Sequence, residues 1–185
     1  MTAANCARSL KLVGLSEGGY TNHRLDRGNW YEGRLIGTNH GISAPVLADW
    51  IGRTPAAREM RALTKAEADK IYKARYWDSV RGDYLPRGLD YAMFDYGVNS
   101  GPRRAIKALQ RVAGAKPDGL FGGMTERALK RHHPRTIITR LMQRRLSFLQ
   151  RIPGPKGWRT FGKGWARRVN RVREDALKMA NGEVT

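Results

Sequence analysis

Cys6 is the only cysteine in the 185 residues, so an internal disulfide is excluded, and so is a zinc site built on CxxC pairs. His23, His40, His132 and His133 show neither HExxH nor any paired spacing, which leaves no metal site and no cofactor motif to expect. No apolar run approaches the ~18–20 residues that a membrane span needs. Near the start, Arg8 and Lys11 flank Ser9-Leu10, and neither a continuous apolar stretch nor an A-x-A site is present. A cleaved signal peptide is therefore not expected. On this reading the chain is made in the cytoplasm, and work elsewhere needs a route supplied by another factor. Acid is scarce as well: 16 Asp plus Glu stand against 35 Lys plus Arg, a formal net charge of +19.

The charge is unevenly placed. Residues 1–95 hold 14 basic and 11 acidic side chains, whereas residues 96–185 hold 21 and 5. The second half is suited to meet a polyanion such as nucleic acid, an anionic membrane or an anionic cell wall. With 41% hydrophobic and 9% aromatic residues the chain has the means to bury a core, which excludes wholesale disorder. Its length suits one domain or two small ones sharing a core.

Helical punctuation dominates. Ala7, Leu10 and Val13 begin a pattern that is expected to stop at Gly18-Gly19, which would put Glu17 in the last turn of a first helix. Gly28, Gly33, Gly37 and Gly41 then break any helix, and residues 20–42 read as small strands or loop. Ser43 is a candidate cap for a short helix with Pro45 in its first turn and Val46, Leu47, Trp50 and Ile51 facing inward. Thr64-Lys65-Ala66-Glu67 is a capping box before a helix carrying Ala68, Ile71, Tyr72 and Arg75. Leu89 to Val98 reads as a mostly apolar central helix. Pro102 starts a helix with Ile106, Leu109 and Val112, closed by Gly114. Pro134 starts another, with Ile137, Ile138, Leu141, Met142, Leu146 and Leu149 inward and Arg135, Arg140, Arg144, Arg145 and Arg151 outward. A last helix is expected from about Trp165 to Met179. The fold class is mainly α, with a small β or loop insertion near residues 20–42.

Glu17-Gly18-Gly19-Tyr20, then Asp26, then Gly37-Thr38-Asn39-His40-Gly41-Ile42-Ser43 carry the chemistry. A glutamate at a helix C-terminus lies at the negative end of the dipole, which disfavours its ionised form. An apolar cleft would raise its pKa further, leaving a proton to give to a departing oxygen. Asp26, in a glycine-rich turn, would be wetter and stay ionised. Two carboxylates in contrasting surroundings are what glycoside hydrolysis requires. By spacing alone the plainer reading of Glu17, a solvated last-turn residue, is the commoner one.

The segment also resembles the phage lysozyme pattern of a glutamate, an aspartate nine positions on and a downstream threonine, here with Trp30 to Ile36 as an insertion before Thr38. More specifically, Glu17-Gly18-Gly19-Tyr20 with Asn22, Asp26, Gly28-Asn29-Trp30 and Gly37-Thr38-Asn39-His40-Gly41-Ile42-Ser43 resembles glycoside hydrolase family 108. The match continues through Tyr76-Trp77, Leu85-Pro86, Gly88-Leu89-Asp90 and Phe94-Asp95-Tyr96-Gly97-Val98-Asn99-Ser100-Gly101-Pro102. That family contains N-acetylmuramidases, among them phage endolysins and bacterial muramidases linked to export. The resemblance implies a lysozyme-like helical body in which Glu17 is the general acid on the bond between N-acetylmuramic acid and N-acetylglucosamine in peptidoglycan. Asp26 would stabilise charge at the anomeric carbon, act as nucleophile or hold the attacking water. Thr38 would orient that water or Asp26, and Glu32 is a rival second carboxylate. Tyr20, Trp30, Tyr96 and Asn99 are candidates for sugar stacking and amide hydrogen bonding, with core packing as the competing reading of each. Asp95 is expected as a buried structural partner. His40 departs from the pattern, where Tyr or Phe is usual.

Residues 1–98 are thus expected to be the catalytic region of a monomer. Residues 99–185 resemble the family's peptidoglycan-binding region through Leu109-Gln110, Pro117-Asp118-Gly119, Phe121-Gly122, Thr125 and Ala128-Leu129, packed into the same body. Asp118-Gly119 reads as a turn and Thr125 as a candidate helix cap. The competing class is a basic helical nucleic-acid-binding module, which lacks any RNP, zinc-finger or basic-zipper signature here. A third reading has the basic C-terminal half gripping anionic outer-membrane lipid or wall polymers.

Overall fold

The computed structural model describes residues 2–14 and 18–183. Among these residues the chain is mainly helical, with strands confined to two antiparallel hairpins, as the mainly α reading requires. Two compact units are present: Ala7–Arg75, and Met1–Cys6 together with Tyr76–Thr185.

Helix α1 (Thr2–Val13), which belongs to the smaller unit from Ala7 onward, ends at Gly14, whose φ of +63° is the left-handed conformation that closes a helix. The Gly14 amide donates to Leu10 and Lys11 carbonyls at 3.2 and 3.1 Å. The helix expected to reach Gly18-Gly19 is therefore cut short by an earlier glycine. Glu17 lies outside the described residues. After a 3₁₀ turn at Arg27–Asn29 come β1 (Trp30–Tyr31) with β2 (Arg34–Leu35), then β3 (Thr38–Asn39) with β4 (Ile42–Ser43). Each hairpin closes on two residues with positive φ, Glu32-Gly33 (46° and 73°) and His40-Gly41 (49° and 73°). Such turns match the right-handed twist of short strands.

Helix α2 (Ala44–Ile51) buries Ala44, Leu47 and Ala48, spaced i, i+3, i+4, and ends at left-handed Gly52. Trp50 and Ile51, expected to face inward, are 46% and 36% exposed and border an open cleft with Leu63 and Glu67. Ser43 sits at the cap position without its hydroxyl bonding the helix. Helix α3 (Ala57–Ala62) follows, then α4 (Lys65–Tyr72) behind the expected capping box. There Thr64 Oγ1 accepts from the Glu67 amide at 3.3 Å and the Glu67 carboxylate accepts from the Thr64 amide at 2.8 Å.

The larger unit is built around α5 (Leu89–Ser100), every residue of which from Leu89 to Gly97 is buried. The compact units part at Arg75 and Tyr76, so α5 belongs with the basic helices rather than with residues 7–75. Its companions are α6 (Pro102–Ala113), α7 (Gly123–Leu129), α8 (Pro134–Gln150) and α9 (Trp158–Ala180). Helix α9 begins well before the expected Trp165, since Gly162 and Gly164 do not interrupt it. A Cβ on Gly162 would fall 2.6 Å from the Trp158 ring, so the glycine makes room for an aromatic. Gly88, at φ +87°, lets the start of α5 approach the Ala176 carbonyl so closely that a Cβ would lie 2.1 Å from it. Thr125, read as a cap, instead lies inside α7 and is buried. The organiser there is buried Gln110, with Nε2 2.7 Å from Asp118 Oδ1, 3.0 Å from the Leu120 carbonyl and 3.1 Å from Thr125 Oγ1. Its Oε1 accepts from the Gly119 amide at 2.9 Å, pinning the loop.

Asp95 is 1% exposed and joins three helices. Arg145 of α8 donates to its Oδ1 at 2.6 Å, and Arg168 of α9 donates to its Oδ2 from Nη2 at 2.7 Å and Nε at 3.0 Å. Arg145, expected on the outward face of α8, is fully buried. Its position is three residues beyond Met142 and four before Leu149, so it lies within the apolar stripe in spite of its charge. Burial pushes the Asp95 carboxyl up, yet Arg145 and the hydrogen bonds of Arg168 outweigh it and hold the group below its ordinary range.

A carboxyl whose folded pKa is depressed stabilises the fold above its unfolded value, about 3.9, and that contribution is lost as pH falls through the folded value. Asp95→Asn should therefore lose about 3–5 kcal/mol in urea denaturation at neutral pH, because it leaves two arginines facing a neutral amide. The stability difference between parent and variant should shrink below about pH 4. A loss under about 1 kcal/mol at neutral pH would show that the triad does not hold these helices together.

Candidate active site

The smaller unit carries Tyr20, Asp26, Trp30 and Thr38, and the glycines around them explain the local folding. Gly37, at φ +103°, allows the chain to pass under Tyr20: a Cβ there would lie 2.5 Å from the ring and 2.8 Å from the Thr21 carbonyl. The Tyr20 hydroxyl donates to the Ile36 carbonyl at 3.0 Å, and the Arg61 guanidinium carbon stands 4.8 Å from the ring centre. One step along, Thr21 and Thr38 exchange a pair of backbone hydrogen bonds of 2.8 Å each. Gly18, next to Glu17 in the chain, accepts from the His40 amide at 2.9 Å, so the Gly18-to-Thr21 segment is stitched along β3 and its turn.

Asp26 heads the 3₁₀ turn. Its Oδ1 accepts from the Gly28 amide at 2.9 Å, and its side chain is exposed. Asn29, fully buried, links this turn to the β2–β3 connection. Its amide donates to the Asp26 carbonyl at 3.1 Å, its Nδ2 to the His23 carbonyl at 3.0 Å, and its carbonyl accepts from Ile36 and Gly37. Trp30 donates its indole N–H to the Arg24 carbonyl at 2.8 Å and leaves its ring half-buried. Glu32, the rival carboxylate, is at the tip of the first hairpin and accepts the Thr54 hydroxyl. His40 turns the second hairpin, and its carbonyl accepts from the Tyr72 hydroxyl at 3.3 Å. That backbone duty gives this position a role independent of the ring it carries.

The two remaining candidates are in the larger unit. Tyr96 is 1% exposed, with the Arg145 guanidinium carbon 5.0 Å from its ring centre, which matches the core-packing reading rather than sugar stacking. Asn99, near the end of α5, is exposed and accepts from the Ser100 hydroxyl at 3.1 Å. The structure thus gathers Tyr20, Asp26, Trp30 and Thr38 in one unit and places Tyr96 and Asn99 in the other. Sequence reasoning missed two asparagines that frame the site. Asn29 was visible only as a member of the Gly28-Asn29-Trp30 motif. Asn39 stood at an unspecified place in Gly-Thr-x-x-Gly-Ile, yet its Nδ2 reaches the Met60, Arg61 and Leu63 carbonyls at 2.9, 3.2 and 3.3 Å. No group of His, Cys, Asp or Glu among the described residues is arranged to hold a metal ion.

The sequence pattern of one family, Glycosyl hydrolase 108, matches residues 10–101, spanning Tyr20, Asp26, Thr38 and the start of the larger unit through Gly101. The solved structure of Brucella abortus SagA is 40% identical in sequence, covers 96% of this chain and 97% of its own, and superposes with a TM-score of 0.81. The chain belongs to glycosyl hydrolase family 108. No curated protein matches it. As a family 108 hydrolase it is a peptidoglycan-degrading glycosidase, and its lysozyme-like mainly α fold is that of the family.

Gly37 combines a left-handed φ with ring and backbone contacts that leave no room for a Cβ. Gly37→Ala should lower stability by about 1–3 kcal/mol, from left-handed strain and the collision with Tyr20. Gly33→Ala, also at positive φ but with open space around it, should lose about 1 kcal/mol or less. Thermal unfolding of the two variants checks this, and equal losses would show that the Tyr20 contact is not constraining.

Proposed function

We propose that this family 108 enzyme is an N-acetylmuramidase, hydrolysing the β-1,4 bond between N-acetylmuramic acid and N-acetylglucosamine in peptidoglycan. Glu17 gives its proton to the glycosidic oxygen, and Asp26 meets the positive charge that develops at the anomeric carbon or holds the water that attacks it. Thr38 orients that water or Asp26, while Tyr20 and Trp30 border the bound sugar. The reading is supported chiefly by one observation: Asp26 stands exposed and hydrogen-bonded on a turn that Asn29 ties to the Gly37-Thr38 segment. A carboxyl group held on a braced, water-exposed turn suits electrostatic stabilisation of an oxocarbenium-like transition state.

Glu17 itself lies outside the described residues, so its role as the acid is carried by the sequence resemblance. We also place the action of the enzyme at the cell wall, after synthesis in the cytoplasm and release by a separate factor, in the manner of a phage or prophage endolysin. This part is supported by the sequence resemblance alone.

Glu17→Gln should reduce clearing of purified sacculi by about 10³-fold or more while helical circular dichroism stays unchanged. Asp26→Asn should reduce it by about 10²-fold or more. Glu32→Gln should keep activity within about threefold of the parent. Full activity in Glu17→Gln would remove the acid from the mechanism, and a collapse in Glu32→Gln alone would reassign the second carboxylate.

A further inference from the structure

A cleft of about 540 Å³ lies wholly within the larger unit, between α6 and α8. Six cations line it: Arg103, Arg104, Lys107 and Arg111 from α6, and Arg144 and Arg151 from α8 and its end. No acidic side chain lines it, and none of the six enters an ion pair among the described residues. Between Glu126 and Glu174 the chain contains no acid at all. The spacing is orderly. Arg104, Lys107 and Arg111 recur at i, i+3, i+7 on one helix, and Arg144 and Arg151 flank Phe148 on the other, so two cationic rows face across the groove. Its floor is apolar, made by Tyr96, Pro102, Ala108 and Phe148. Arg104 lies with its guanidinium carbon 4.6 Å from the Phe148 ring centre and donates to the Ser100 carbonyl at 3.0 Å.

Mutual repulsion of six unneutralised cations disfavours this arrangement unless an anion enters it. The apolar floor and the limited volume suit a compact anion joined to apolar matter rather than a long, uniformly polar strand. A second feature points the same way. Arg151 leads into a tight turn closed by the Trp158 amide on the Ile152 carbonyl at 3.0 Å, and α9 then opens with Trp158, Phe161 and Trp165 on one side. Their ring centres lie 5.8 Å (Phe161 to Trp165) and 6.5 Å (Trp158 to Trp165) apart, and Phe161 is 47% exposed. Lys156, Arg159, Lys163 and Arg167 punctuate the same stretch. Aromatic rings between cations are the composition of a membrane–water boundary.

We propose that the α6–α8 cleft receives the phosphate headgroup of an anionic phospholipid, and that the aromatic opening of α9 beds into the adjoining interface, docking the larger unit on an anionic bilayer. Docking is independent of which glycosidic bond the enzyme cuts, and its test uses no catalytic readout. The full chain is sedimented with vesicles of phosphatidylcholine alone and of phosphatidylcholine mixed equally with phosphatidylglycerol, at physiological ionic strength. The parent should bind the mixed vesicles and not the neutral ones. Arg111→Ser with Arg144→Ser, two exposed cleft residues without partners, should weaken binding about thirtyfold. Arg131→Ser with Arg140→Ser, an equal charge loss outside the cleft, should weaken it less than about threefold. Phe161→Ala should also weaken binding. Equal losses in the two double variants would show diffuse charge in place of a site. Absence of preference for phosphatidylglycerol, or displacement of the protein from vesicles by a single-stranded oligonucleotide bound more tightly through the same arginines, would overturn the lipid assignment.

Discussion

Asp95 is the constraint on which the larger unit depends. A single carboxylate, almost without solvent, satisfies Arg145 of α8 and Arg168 of α9 from the middle of α5. Buried ions of this kind add little net energy over a well-packed apolar substitute, but any one of them alone is strongly unfavourable. The triad therefore acts as a register lock: α8 and α9 must present their arginines at one level of α5 or leave a charge stranded. Arg145 then carries the order outward. Among the described residues its Nε and Nη2 have no hydrogen-bond acceptor, and its guanidinium carbon stands 5.0 Å from the centre of the Tyr96 ring, which in turn lines the α6–α8 cleft.

Much of this was legible where local chemistry and periodicity agreed. The run from Leu89 announced a central helix, Pro102 with Gly114 bracketed α6, and Thr64 with Glu67 declared a cap whose hydrogen bonds are both present. The misreadings have physical causes. Arg145 was assigned to solvent by its charge although its position falls within the apolar stripe of α8, and only Asp95, fifty residues away, explains why burial is tolerable. Gly14 ended α1 before the more conspicuous Gly18-Gly19 pair could. Thr125 reads as a cap by residue type, but its hydroxyl is held by Gln110 from another helix. Of the candidate site, the motif residues themselves were visible. The frame was not, because Asn29 and Asn39 act through backbone carbonyls that no spacing rule specifies.

The smaller unit solves a different problem with the same economy of residues. Its strands are two residues long and could not persist as isolated sheets. They are held by turns with positive φ, by the Thr21–Thr38 bridge and by Asn29 and Asn39 bonding across to neighbouring backbone. If Asp26 and Thr38 act as proposed, this bracing serves them, since a carboxylate misplaced by an ångström loses most of its effect. Under the proposed assignment, chemistry falls to a nearly neutral stretch of sequence, and the excess of positive charge lies on later helices, of which α6 and α8 carry no acid.

The measurement that bears most directly on the whole account is a digest of purified sacculi, followed by borohydride reduction and mass spectrometry of the soluble fragments. A muramidase leaves reduced muramic acid at the new ends, and that is the result the account predicts. New ends carrying reduced glucosamine, or fragments released by peptide or amide cleavage with the glycan chains intact, would contradict it.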